Sequence, residues 1–159
     1  MKKLNKHEKD GIINLFPDID DIFEHELDPN TIGYESYGIS VYDGWLSESE
    51  YNKSVIRDRK RITEINKVRT EFIMSFYPSI YLCSHDDEIY EFENKNELFE
   101  FIKHDLNEGM EISFLSVHYN AIIEVSCELT EIIHFYKSTR IDDIKLKAQN
   151  LELNVFSNI

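Results

Sequence analysis

The sequence is poor in the residues that form linkers and crosslinks. Its 159 residues include three prolines, five glycines and two cysteines. Each proline lies at a predicted element boundary, and no Pro-, Gly- or Ser-rich stretch divides the chain. The sequence therefore predicts one domain over residues 1–159, with a helical N-terminal segment over 1–30 and a sheet with packed helices over 31–159.

Long apolar runs are also absent. Charged residues recur through the first ten positions, so we expect no signal peptide, and no run is long enough to span a bilayer. The expected location is the cytoplasm, without a membrane partner. Cys83 and Cys127 form no CxxC pair, so we expect free, buried thiols.

Positive charge is scarce. The chain has 31 acidic residues against 17 Lys and Arg, for a net charge of −14. This balance opposes binding to nucleic acid, whose phosphates require cations, and favours a cationic partner. When the chain is divided into residues 1–46, 47–78 and 79–159, bases outnumber acids only in the middle segment, by seven to five. We interpret this basic segment as a structural helix that pairs with acidic neighbours, and an arginine-rich anchor for a protein partner stays the alternative.

Hydrophobic periodicity predicts an α+β domain with a mostly antiparallel sheet. N-terminal helices and one long central helix, residues 48–76, are predicted to pack on it. The predicted strands are short and joined mostly by hairpins. The other predicted helices cover residues 5–15, 17–28, 95–107 and 139–149, and the predicted strands cover 31–44, 80–83, 88–92, 111–117, 121–127, 131–136 and 151–156.

Six of the twelve residues from Pro17 to Asp28 are carboxylates. A calcium loop would need an oxygen ligand at position 5, glycine at position 6 and glutamate at position 12, and this stretch has Ile22, Phe23 and Pro29 there. The spacing of Ile19, Ile22, Phe23 and Leu27 instead predicts one apolar face of a helix. Its first turn would hold Asp18, Asp20 and Asp21, where the helix dipole favours negative charge. We therefore predict no metal site.

Motifs for nucleotide binding, serine hydrolysis and zinc proteolysis are absent, and no two of the six histidines are spaced for a shared helical metal site. We therefore predict no catalytic residue and no cofactor. A small enzyme remains an alternative. It would need a pocket that holds His118 or His85 beside paired carboxylates, or a Cys–His pair formed by Cys83 or Cys127 with His118 or His134.

Aromatic residues cluster around the first strand. Tyr34, Tyr37, Tyr42 and Trp45 lie close in sequence to Glu35 and Asp43, and such a mixture suits a basic protein partner because rings anchor and carboxylates steer. The alternative is that the rings cover the sheet and Trp45 caps the core.

These features together resemble the immunity proteins of bacterial toxin–immunity pairs, including those of contact-dependent inhibition systems. Such proteins are small, acidic and α+β, and they neutralise a cognate toxin, often a basic nuclease. The resemblance concerns the general character of the whole chain and involves no specific motif. It implies a toxin-binding surface formed by Asp20, Asp21, Glu24, Tyr34, Tyr37, Tyr42, Trp45, Asp86, Asp87 and Glu88.

Two further alternatives stay open. A phage-type inhibitor that mimics nucleic acid would need carboxylates spaced like phosphates, and the basic helix within the acidic chain counts against it. A scaffold subunit would instead show a large apolar patch.

Overall fold

The computed structural model describes residues 1–19, 22, 28–47, 49–51, 59–84, 88–126, 129–137 and 140–157. Its α-helices are α1 (Lys6–Ile13), α2 (Arg59–Met74), α3 (Lys95–Glu108) and α4 (Ile141–Asn150). Its strands are β1 (Lys2–Lys3), β2 (Tyr34–Ser40), β3 (Ile80–Cys83), β4 (Ile89–Glu91), β5 (Ile112–Ser116), β6 (Ala121–Val125), β7 (Thr130–Tyr136) and β8 (Asn154–Phe156). A short 3-10 helix covers Pro29–Ile32.

The strands of the described residues form one eight-stranded sheet in the order β1-β4-β3-β5-β6-β7-β2-β8. Each pairing between them is antiparallel. The prediction of a single α+β domain with a mostly antiparallel sheet is confirmed. Its outermost strands are two or three residues long, and such short edges limit pairing with other chains.

The two faces of the sheet carry different layers. The larger core packs α2, α3 and α4 against one face, and Phe72, Leu98 and Ala148 are among its buried residues. The N-terminal segment covers part of the opposite face, where Phe16, Ile19 and Ile22 pack around Leu115 and Ile122. This arrangement gives three layers, in which the middle strands are buried on both sides.

Local signals place several helix ends correctly. Asn94 accepts a hydrogen bond from the Glu97 N–H at 3.0 Å and caps α3, which ends at Gly109 with φ 69°. Ser47 and Glu50 form a capping box at the start predicted for the long helix. Residues 49–51 and Arg59–Met74 are helical within the predicted long helix, and residues 52–58 lie outside the described part.

Other local predictions need correction. Strand β1 and the 3-10 helix were not predicted, and the latter takes the first residues of the strand expected to begin at Thr31. Asp18 has φ 57°, so it precedes a helical turn instead of lying in it. The Ile22 N–H nevertheless donates to the Asp18 carbonyl at 3.2 Å, and Ile19 and Ile22 are buried as predicted.

Among the described residues, no helix has both the length and the apolar character needed to cross a membrane.

Candidate functional site: the loop end of the sheet

The strand register brings several connections to one end of the sheet. Ser40 lies opposite Thr130, Val125 opposite both Glu131 and Ile112, and Cys83 opposite Ile89. We call this the loop end. It comprises residues 41–47 after β2, Glu88 before β4, residues 109–111 before β5, and Ser126 and Leu129 between β6 and β7. The chain segments that carry Trp45 and Glu88 thus lie at the same end of the sheet, but β2 and β4 are separated by four strands, which at the usual strand spacing is about 24 Å.

Trp45 is the most exposed aromatic side chain of the loop end. It is 42% exposed, and its ring meets Phe156 edge to face at 5.8 Å between centroids. Tyr42 is half-buried in a small cluster that includes Leu46 and Leu129, and the Arg61 guanidinium lies 5.6 Å from its ring centroid. This loop therefore combines the exposed ring of Trp45 with the packed side chains of Tyr42 and Leu46, an arrangement that is typical of anchors in protein-binding surfaces.

Carboxylates are spread along this end of the sheet. Asp43, Glu108 and Glu111 are exposed at the loop end, and Glu88 is half-buried with its Oε1 3.0 Å from Lys3 Nζ. The basic residue Arg61 reaches the same region from α2. The loop end thus presents mixed charge and an exposed tryptophan, with acids supplied by three separate segments.

Tyr34 and Tyr37 do not belong to this surface. Tyr34 is only 3% exposed, and its hydroxyl donates to the Pro17 carbonyl at 2.8 Å, which fastens the N-terminal segment to the sheet. Burial and the charge of Asp18 raise the pKa of Tyr34. The expectation that Tyr34 contributes to a binding surface is therefore corrected, because its face of the strand is covered.

Tyr37 lies on the opposite, helix-covered face. Its ring meets Phe135 edge to face, and Lys145 Nζ lies 4.8 Å from the ring centroid. Partial burial and the neighbouring Glu35 raise the pKa of the Tyr37 hydroxyl. This tyrosine is half-buried beside α4 and is separated from Trp45 by the sheet.

The remaining predicted residues of the binding surface lie outside the described part of the chain. They are Asp20, Asp21, Glu24, Asp86 and Asp87. The same is true of Cys127 and His85, whereas Cys83 lies within the described part and is half-buried.

The basic helix holds a buried ion pair that sequence patterns did not reveal. Arg69 Nε lies 2.5 Å from Glu131 Oε1, and the two side chains are 2% and 0% exposed. The Arg69 guanidinium also donates to the Ser126 carbonyl at 2.7 Å and to Asn66 Oδ1 at 3.3 Å. In the sequence, Arg69 is only one more basic residue in a basic segment. Its burial results from the packing of α2 on β7 and could not be predicted from the spacing.

A second polar group lies on the other face of the sheet. Ser36 Oγ is hydrogen-bonded to His134 Nδ1 at 2.7 Å, and His134 Nε2 lies 3.4 Å from Glu124 Oε1. A serine, an imidazole and a carboxylate in this order can relay a proton. Ser36 and His134 are however buried in the middle of paired strands, so we interpret their hydrogen bond as a means of pairing two polar atoms inside the sheet.

The other nucleophile and metal combinations are not assembled in the described residues. Cys83 and His134 lie on strands separated by β5 and β6, which at the usual strand spacing is about 14 Å. His118 is exposed, contacts Arg140 and stacks on Tyr119. Within the described ranges, no three His, Cys, Asp or Glu side chains are grouped as ligands for a metal ion.

Comparison with known proteins identifies no relative. No family model, no curated protein and no solved structure matches this chain.

Proposed function

We propose that this chain is an immunity protein that binds and neutralises a basic toxin domain, with the loop end of the sheet as its contact surface. The observation that supports this proposal most is the exposed Trp45 of the loop end, a surface whose exposed carboxylates include Asp43 and Glu111. The net charge of −14 would speed the encounter with a cationic partner, and the aromatic loop would then hold the complex.

The fold suits a binder because the loop that carries Trp45 is fixed at both ends. It follows β2, which pairs with β7 along its whole length, and it is followed by the Ser47–Glu50 capping box. Packing of Tyr42 and Leu46 against Leu129 and Ile62 holds the middle of the loop. A preformed anchor lowers the entropy lost on binding and so increases affinity.

Co-expression with a toxin provides the test. Toxin domains encoded beside the gene for this protein would be expressed in a bacterial host, alone and together with the chain. We expect a toxic domain whose effect on growth is relieved by the chain, and a stable complex of the two purified proteins. Absence of any toxic neighbour, or a toxic neighbour that the chain neither binds nor relieves, would contradict the proposal.

Matched variants locate the contact surface. Trp45→Ala should weaken binding by about 2 kcal/mol or more, as for a central aromatic anchor, whereas Leu146→Ala, which changes an exposed residue on α4, should not. Asp43→Lys should slow association and reduce its salt dependence, and Glu100→Lys on α3 makes the same change of charge away from the loop end. Equal effects within each pair would show that the contact surface lies elsewhere.

A further inference from the structure

A pocket of about 210 Å³ lies between α2 and the C-terminal end of α3, beside the loop end. Ile62, Leu106, Leu129 and Met110 give it apolar walls. Its inner residues are Asn66 and Arg69, both buried and both polar. The pocket thus combines apolar walls with a small polar floor, as small-molecule sites do.

Among the described residues, the contacts of Arg69 and Asn66 do not use all the donor hydrogens of these two side chains. A guanidinium has five N–H bonds, and the contacts of Arg69 with Glu131, Asn66 and Ser126 use three of them. The Asn66 amide donates one hydrogen to the Leu106 carbonyl at 3.2 Å and has a second. Because a buried donor without an acceptor is unfavourable, this floor favours an occupant that supplies acceptor oxygens.

The net charge of the Arg69–Glu131 pair determines whether a charged or an uncharged acceptor suits the pocket. Glu131 is fully buried against Arg69, so the ion pair as a whole is neutral. A carboxylate in the pocket would add an uncompensated negative charge in a partly desolvated place, whereas an uncharged carbonyl oxygen would not. Exposed Glu108 at the pocket wall further opposes an anion.

We propose that this pocket binds a small uncharged molecule that carries a carbonyl oxygen on a short apolar body, such as an aliphatic amide. The carbonyl accepts hydrogen bonds from Arg69 and Asn66, and the apolar body packs against Ile62, Leu106 and Leu129. The volume corresponds to about seven waters at roughly 30 Å³ each, so the ligand is smaller than a drug-sized molecule. The proposal does not rest on the proposed binding of a toxin, although the pocket shares Met110 and Leu129 with the loop end.

The test compares three ligands with one carbon skeleton: 3-methylbutanamide, 3-methylbutanoate and 3-methylbutylammonium. Each is titrated into the labelled full chain at constant ionic strength, and amide shifts are followed by NMR. We expect saturable shifts for the amide at the Asn66 side chain, Gly109 and Met110, with a Kd on the order of 10 mM for so small a ligand. The carboxylate and the ammonium should bind about tenfold more weakly or worse, because one adds buried charge and the other brings no acceptor.

A pair of variants separates the pocket from the rest of the surface. Ile62→Trp fills the pocket from α2 and should abolish the saturable shifts, and Leu146→Trp on α4 should leave them unchanged. Equal binding of all three ligands, shifts spread over the acidic surface, or no saturation about tenfold above the expected Kd would each overturn the proposal. Absence of saturation would mean that the pocket holds water only. The comparison of the three ligands uses the unmodified chain, so it does not depend on whether a variant folds.

Discussion

Removing one charge of the Arg69–Glu131 pair should destabilise the protein far more than removing both. The perturbations are Glu131→Gln, Arg69→Met and the double variant Arg69→Met/Glu131→Leu. In each single variant a charge that is almost fully buried loses its counter-charge 2.5 Å away. The double variant leaves no buried charge at this place.

The magnitudes follow from the contacts. An uncompensated buried charge destabilises by about 3–5 kcal/mol, which we expect for each single variant. The double variant loses the donors to the Ser126 carbonyl and Asn66 Oδ1 instead. Each orphaned acceptor costs about 1–3 kcal/mol when no water reaches it, and the apolar replacements offset part of that loss. We therefore expect the double variant to lose about 1–3 kcal/mol, less than either single variant.

Urea unfolding followed by circular dichroism measures these differences, provided that the slope of each transition stays unchanged. A double-mutant cycle, completed with the single variant Glu131→Leu, should give a coupling free energy of about 3 kcal/mol or more. If Glu131→Gln lost less than about 1 kcal/mol, or if the single effects simply added, the pair would not be a desolvated ion pair and the reasoning would be refuted.

Three further predictions concern local structure. Gly38→Ala should destabilise by about 1–3 kcal/mol, because the new Cβ would lie 2.3 Å from the Phe156 ring, and adding Phe156→Ala should relieve that clash in urea unfolding. Gly11→Ala should instead stabilise by about 0.5–1 kcal/mol, since this position of α1 has nothing within 4 Å of a new Cβ, and a lower urea midpoint would contradict it. The pKa of Glu8 is held below 4.5 by the hydrogen bond from the Asn5 backbone and by Lys2, so its contribution to stability is present above about pH 4.5 and is lost as the pH falls through the lowered pKa. The stability difference between wild type and Glu8→Gln should therefore shrink in acid, and an equal difference at neutral and acid pH would show that the charge of Glu8 has no such role.

The contrast between Tyr34 and Tyr37 shows the limit of grouping residues by nearness in sequence. Both belong to the aromatic cluster around the first strand, yet an odd separation along a strand sends their side chains to opposite faces. Tyr34 is covered by the N-terminal segment and Tyr37 by α4. Trp45 remains exposed because it follows the strand. It is therefore the aromatic residue of this cluster that is best placed to contact a partner.

The candidate pocket was beyond sequence reasoning for a related reason. Asn66 and Arg69 read as solvated positions in a basic helix, and Leu129 and Met110 come from loops that no periodicity describes. Their meeting depends on how α2 and α3 cross over the sheet, which is set by the apolar residues of the core. The unused donor hydrogens of Arg69 and Asn66, like the neutralisation of Arg69 by Glu131, depend on that packing. They could not be predicted from the sequence.

The sequence by itself determined the class of fold, the ends of several helices and the acidic character of the surface. Periodicity, caps and charge act over a few residues or add along the chain, so the residues of α3 between Asn94 and Gly109 contain the information that defines that helix. The tertiary structure alone decided which strands are neighbours, which connections meet at the loop end, and that Arg69 is buried against Glu131. These outcomes depend on contacts between residues 57 to 113 positions apart, such as Arg69 with Ser126 or Asn154 with Val41, whose free energy becomes available only after the whole sheet has formed.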